Sequence, residues 1–207
     1  MSIGSKMAAL VMTITLGSTV GEASQSRPAV TIRVLNSGVA DAQTMSLARR
    51  VAVRIFDHSG INLVWFDCDI RDEGWTTEET CGRQRGAAEF WLRITLKRPP
   101  ATKVGALAFT ELDDRTGDGA AGVYYPAVVE MAKKWRNREG DVLGAAIAHE
   151  VGHLILGANA HAGFGVMRAR WSRSQFELIA LGELNFARMQ SRALQDQIAV
   201  LSRNGGR

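Results

Sequence analysis

The stretch His149-Glu150-Val151-Gly152-His153 carries the clearest chemical signal in this sequence. Residues four apart lie on the same face of an α-helix, so both imidazoles can reach one metal ion. Glu150 directly follows His149, which places its carboxylate beside the metal ion, where it can take a proton from a bound water. The pattern therefore predicts His149 and His153 as metal ligands and Glu150 as a general base.

A third histidine and a methionine follow. His161 lies eight residues after His153, and Gly157 between them lets the chain turn back beneath the helix. Three protein ligands with one open position are typical of a catalytic zinc ion. Met167 is expected to form a hydrophobic floor under the metal, which is also a role in core packing.

The rest of this helix is apolar, and burying two histidines and a glutamate without partners would be costly. This favours a metal site over a polar patch on a surface helix. Two glutamates in the C-terminal helical pattern, Glu177 and Glu183, are the alternatives to His161 as the third ligand.

Taken together, these residues resemble the metzincin zinc peptidases, whose pattern is HExxHxxGxxH followed by a methionine turn. The connection between the second and third histidines is two residues longer here, and a glycine followed by a flexible loop can absorb the difference. The resemblance implies one zinc ion per chain held by His149, His153 and His161, with Met167 as the methionine-turn residue. It also implies that a substrate pairs with an edge strand, for which residues 105–112 are the candidate.

The function implied is that of a zinc metallopeptidase. A zinc-bound water attacks the peptide carbonyl with Glu150 as base, and Glu150 then passes the proton to the leaving amine. One alternative is a zinc-binding protein without turnover, which has no need of the Glu150 carboxylate. Another is a secreted interaction protein that uses basic residues of its C-terminal part. These are Arg168, Arg170, Arg173, Arg188 and Arg192.

Residues 1–23 predict a signal peptide. Lys6 supplies the positive charge, residues 7–16 form an apolar stretch, and Gly21 and Ala23 offer small residues for cleavage. An uncleaved N-terminal anchor is the alternative. We therefore predict a single catalytic domain over residues 24–207, secreted or periplasmic, with no stable membrane anchor after cleavage.

Two smaller patterns concern the loops. Cys68 and Cys81 are the two cysteines, and an even count in an exported protein predicts a disulfide rather than a metal-binding pair. Asp114 to Gly119 matches the start of a calcium-binding loop, but Tyr125 stands where the required glutamate would be, so a polar loop is favoured.

Composition limits the partners. The 207 residues carry a net charge of +4, with basic residues scattered along the chain, so no nucleic-acid partner is predicted. The expected partner is a peptide or protein substrate. Because no pro-segment is evident, we expect the enzyme to be active once exported or to be restrained by a separate inhibitor.

Apolar periodicity predicts an α+β domain, and the resemblance implies that it is of the zincin or metzincin type. It has a mixed twisted sheet of about five strands above the active-site helix, which begins at Asp141 as N-cap and ends at Gly157. Further helices are expected over residues 41–56 and 127–135, and a C-terminal helix or helix pair over residues 174–201. The expected strands cover residues 30–35, 61–66, 89–96, 105–112 and 122–125.

Overall fold

The structure, a computed structural model, describes residues 27–68, 70–71, 74–75, 81, 86–98, 107–112 and 119–204. Two of the predictions lie outside these residues. They are the signal peptide in residues 1–23 and the calcium-type pattern from Asp114 onward, of which only Gly119 is described.

Five strands form one mixed sheet in the order β2-β1-β5-β7-β6. The first four of that order run parallel to their neighbours, and β6 pairs antiparallel with β7 at the end. The strands are β1 (Ala29–Leu35), β2 (Asn62–Asp67), β5 (Glu89–Thr95), β6 (Ala108–Leu112) and β7 (Gly119–Tyr124). A separate antiparallel pair joins β3 (Ile70–Arg71) to β4 (Gly74–Trp75). The predicted mixed sheet of five strands is confirmed.

Parallel neighbours need a crossover, and helix α1 (Ala42–His58) supplies it between β1 and β2. Asp41 caps this helix by accepting a hydrogen bond from the Thr44 backbone N–H at 2.8 Å. The apolar face of α1 is buried, and the helix packs against β2 and against a second helix.

That second helix is α3 (Glu139–Leu156), which carries the HEVGH stretch and follows α2 (Tyr125–Trp135). It contacts β5, β6, β7 and α1, and all but three of its residues are buried. The prediction of Asp141 as N-cap is wrong, because the extended backbone of Arg138 already opens the helix. Asp141 lies in the first turn and accepts hydrogen bonds from the Arg138 guanidinium at 2.7 and 3.1 Å.

Two glycines allow α3 to approach α1 closely. A Cβ added at Gly140 would lie 2.7 Å from the Thr44 carbonyl oxygen, and one at Gly144 would lie 2.5 Å from the Ala48 carbonyl oxygen. Both distances are far below ordinary van der Waals contact, so the two helix backbones can be this close only where α3 has no side chain.

The C-terminal part is a helix pair, α4 (Arg173–Leu181) and α5 (Arg188–Asn204), as predicted. Cys68 and Cys81 form the predicted disulfide, with Cα atoms 5.7 Å apart. In the described ranges, no helix combines the length and apolar character needed to cross a membrane.

Gly144→Ala is expected to lower the free energy of unfolding by about 1–3 kcal/mol, because the new methyl group overpacks the α1–α3 contact. Urea unfolding followed by circular dichroism measures this. Gly163→Ala is the control, since a Cβ there meets nothing within 4 Å. Equal stability of the two variants would contradict the close-packing argument.

Candidate metal centre

His149 and His153 lie one helical turn apart in α3, and their side chains meet at the Nε2 atoms, which are 3.1 Å apart. His149 is mostly buried and His153 is buried. The i to i+4 spacing read from the sequence therefore produces the expected geometry, with both Nε2 atoms directed at one point.

His161 reaches the same point because α3 stops at Gly157. Gly157 has a φ of 91°, and its backbone N–H donates to the His153 carbonyl oxygen at 2.8 Å. The chain then turns back, and the Nε2 of His161 lies 3.1 Å from the Nε2 of His153. The nitrogen atoms that the three histidines offer to a metal lie within 4.8 Å of one another.

The other ring nitrogens fix the tautomers of His149 and His153. The Nδ1 of His149 is 2.7 Å from the Val166 carbonyl oxygen, and the Nδ1 of His153 is 3.1 Å from the Gly157 carbonyl oxygen. A carbonyl can only accept, so each Nδ1 carries a proton and donates it. Each Nε2 is left with a lone pair, which is the form that binds a metal.

Burial keeps both rings neutral. It lowers the pKa of His149 to about 4, against the opposing effect of the hydrogen bond to Val166. Burial likewise lowers the pKa of His153. At neutral pH neither imidazole carries a charge that would repel a cation.

These three residues fit a zinc ion. Two neutral Nε2 lone pairs facing each other at 3.1 Å repel, and a cation between them removes the repulsion. Zinc–nitrogen bonds of about 2.0–2.1 Å in a tetrahedron place neighbouring nitrogens about 3.3 Å apart. The Nε2 of His153 lies 3.1 Å from that of His149 and 3.1 Å from that of His161, which is close to this spacing. His161 is exposed, so the side of the site formed by this ring is open to solvent.

Glu150 lies beside the three histidines. Its Oε1 is 4.0 Å from the Nε2 of His149, and its Oε2 accepts a hydrogen bond from the Thr110 hydroxyl at 2.5 Å. Burial raises the pKa of Glu150 to about 7, and the hydrogen bond from Thr110 acts in the opposite direction. One carboxylate oxygen is thus held by Thr110, while the other faces the histidines.

Thr110 was not identified by sequence reasoning. It belongs to β6, the antiparallel strand at the end of the sheet, and lies forty residues before Glu150 in the chain. A threonine in a strand is common, and only the packing of α3 against β6 brings its hydroxyl to the carboxylate.

Met167 is fully buried and packs against the HEVGH stretch itself. A Cβ added at Gly152 would lie 2.5 Å from the Met167 sulfur and 3.1 Å from a ring carbon of Phe186. The glycine inside the motif therefore makes room for the methionine beneath the helix.

Other candidates from the sequence lie elsewhere. Glu177 is exposed and accepts from Arg173 at 2.8 Å, and Glu183 is also exposed. Within the described residues, the group of possible metal ligands consists of the three histidines.

Of the other arginines proposed as a contact surface, Arg168 donates to Gln175, and the rest are exposed. These are Arg170, Arg188 and Arg192.

Comparison with known proteins gives one informative likeness. No protein-family model and no curated protein matches the chain. Among solved structures, the fold is similar to the crystal structure of archaemetzincin from Methanopyrus kandleri, with a TM-score of 0.52 and 13% sequence identity. The match covers 83% of this chain and 97% of that chain. At this identity the likeness shows the fold alone, and it agrees with the predicted α+β domain.

We expect the purified protein to bind one zinc ion per chain, measured by competition with a chromophoric chelator. His161→Ala should weaken zinc binding by more than about 100-fold, since loss of even an outer partner of a ligand typically costs about 10–100-fold. Glu177→Ala and Glu183→Ala are the controls and should keep the wild-type affinity. If His161→Ala keeps zinc and one of the glutamate variants loses it, the third ligand is that glutamate.

Proposed function

We propose that this protein is a zinc-dependent metallopeptidase that hydrolyses peptide bonds. The observation that carries the proposal is the convergence of three imidazole Nε2 atoms with a buried carboxylate oxygen beside them. A site that only holds zinc for stability is closed by four protein ligands and needs no neighbouring base. Here there are three candidate ligands, one of them exposed, and a carboxylate next to them.

His149, His153 and His161 would hold the zinc ion. When bound, zinc supplies a Lewis acid and lowers the pKa of water at its open position to about 7. The protein's own part is to keep the imidazoles neutral and oriented, which the hydrogen bonds to Val166 and Gly157 support.

Glu150 acts as the general base and then as the acid. Its Oε1 takes a proton from the attacking water, whose oxygen forms a bond to the carbonyl carbon of the substrate. The same carboxyl group gives that proton to the amine nitrogen as the carbon–nitrogen bond breaks. The hydrogen bond from Thr110 to Oε2 supports this role, because it keeps Oε1 facing the reacting groups.

The substrate is a peptide or protein segment in an extended conformation. β6 is the antiparallel end strand of the described sheet and carries Thr110 next to Glu150. An extended peptide that adds to this strand would have its backbone beside the catalytic carboxylate.

Met167 is the candidate methionine-turn residue. Its complete burial and its packing against Gly152 are consistent with a hydrophobic floor beneath the site. A sulfur atom fits tightly here because methionine is flexible and polarizable.

We infer that the protein is exported and acts in a secreted or periplasmic location. The disulfide between Cys68 and Cys81 is consistent with an oxidising compartment. Residues 1–23 are the proposed signal peptide.

Glu150→Gln should abolish peptide cleavage, by at least about 100-fold, while zinc stays bound, because the amide keeps the shape of the side chain but cannot take a proton. Cleavage of a mixed peptide library followed by mass spectrometry is the assay, with zinc content measured on the same samples. Glu177→Gln, the same substitution at an exposed position, is the control. This variant should cleave the peptides at the wild-type rate. Wild-type protein that binds zinc and cuts no peptide would instead identify a binding protein without turnover.

Thr110→Val removes the hydroxyl donor at nearly constant volume. We expect kcat to fall by about 10- to 100-fold with KM little changed, because a hydrogen bond to a charged group is typically worth about 1.5–3 kcal/mol. Thr110→Ser, which keeps the hydroxyl, should retain most of the activity. A fall of the same size in both variants would contradict this role, because Thr110→Ser keeps the hydroxyl group.

A further inference from the structure

The carbonyl oxygen of Val166 accepts two hydrogen bonds. One comes from the Nδ1–H of His149 at 2.7 Å and the other from the indole Nε1–H of Trp171 at 3.0 Å. A backbone carbonyl has two lone pairs and can accept both at once. Trp171 therefore shares its acceptor with a candidate zinc ligand.

Val166 cannot easily move away from these two donors. It is fully buried, and its own backbone N–H donates to the Asn185 carbonyl oxygen at 2.9 Å. The turn that contains it is also tied at its base, where the Ala162 N–H donates to the Met167 carbonyl oxygen at 2.9 Å.

The Trp171 ring is held in place by other aromatic rings. Its edge meets the His149 ring at 6.0 Å between centroids, with an angle of 81° between the planes. It also meets Phe176 of α4 at 6.0 Å, and Phe176 stacks on Trp135 of α2 at 5.5 Å. Two helices thus contribute to the aromatic stack that holds the indole.

We propose that Trp171 is a positioning residue for the zinc site. Its N–H fixes the direction of the Val166 carbonyl, and its ring edge limits rotation of the His149 imidazole, so that the Nε2 of His149 stays aimed at the other two histidines. This proposal rests on the proposed function only in assuming that the three histidines bind zinc. It requires no assumption about substrate or catalysis.

The test is the zinc affinity of Trp171→Phe, which keeps an aromatic ring and removes the indole N–H. We expect the dissociation constant for zinc to rise by about 10-fold or more, the size typical for loss of an outer partner of a histidine ligand. Trp135→Phe is the matched control, since it removes an indole N–H from the same aromatic stack without touching Val166. It should bind zinc as the wild type does.

If Trp171 had a purely structural role, its substitution would lower the stability of the zinc-free protein. Urea unfolding of both variants without zinc measures this loss of stability. Visible absorption of the cobalt-substituted proteins reports the geometry of the ligands directly. We expect an altered cobalt spectrum in Trp171→Phe alone. Wild-type zinc affinity and an unchanged cobalt spectrum in Trp171→Phe would overturn the proposal, whereas a wild-type protein without zinc affinity would overturn the proposed function.

A second measurement covers the case in which Trp171→Phe does not fold. In the wild type, zinc binding at His149 makes its Nδ1–H a stronger donor to the shared carbonyl, which changes the hydrogen bond from the indole. We expect the Nε1–H resonance of Trp171 to shift during a zinc titration followed by ¹⁵N–¹H NMR, and that of Trp135 to stay in place. Zinc binding without a shift at Trp171 would overturn the proposal.

Discussion

The close packing of one helix sets the position of the two histidines and the glutamate that it brings to the candidate site. Helix α3 lies against α1 at Gly140 and Gly144, and against Met167 at Gly152, at distances that leave no room for a Cβ. Such contacts make the helix rigid, because a shift in either direction meets close-packed atoms. The two histidines and the glutamate gain their fixed geometry from this packing, and the loop after Gly157 needs only to bring His161 to them.

The same burial acts in opposite directions on the two kinds of titratable group. It disfavours the charged form of each, so it lowers the pKa of the imidazoles of His149 and His153 and raises that of the Glu150 carboxyl. The result is a pair of neutral imidazoles beside a carboxyl group whose pKa is close to neutral pH. A cation bound at the histidines would favour the ionised form of Glu150, so cation binding and the protonation of this carboxyl group would be coupled.

The sequence predicts most of the elements, because apolar periodicity and glycine positions are local signals. The spacing of His149 and His153 sufficed to place both imidazoles together, and Gly157 marked the end of their helix. The sheet order and the antiparallel direction of β6 depend on long-range pairing, which periodicity does not encode. For the same reason Thr110 and Trp171 were not identified: each acts through a contact with α3 or with the turn after it. Asp141 was misassigned because an aspartate suits both an N-cap and a first helical turn.

Both histidines of α3 are oriented by main-chain carbonyl oxygens, those of Val166 and Gly157, rather than by carboxylate side chains. A main-chain acceptor persists whatever side chain a residue carries, so mutational drift at position 166 can alter packing without deleting the hydrogen-bond partner. It also brings no negative charge. If a divalent ion is bound at these imidazoles, the uncharged acceptors behind His149 and His153 would pass less negative charge to it than carboxylates would, and the ion would be the stronger Lewis acid.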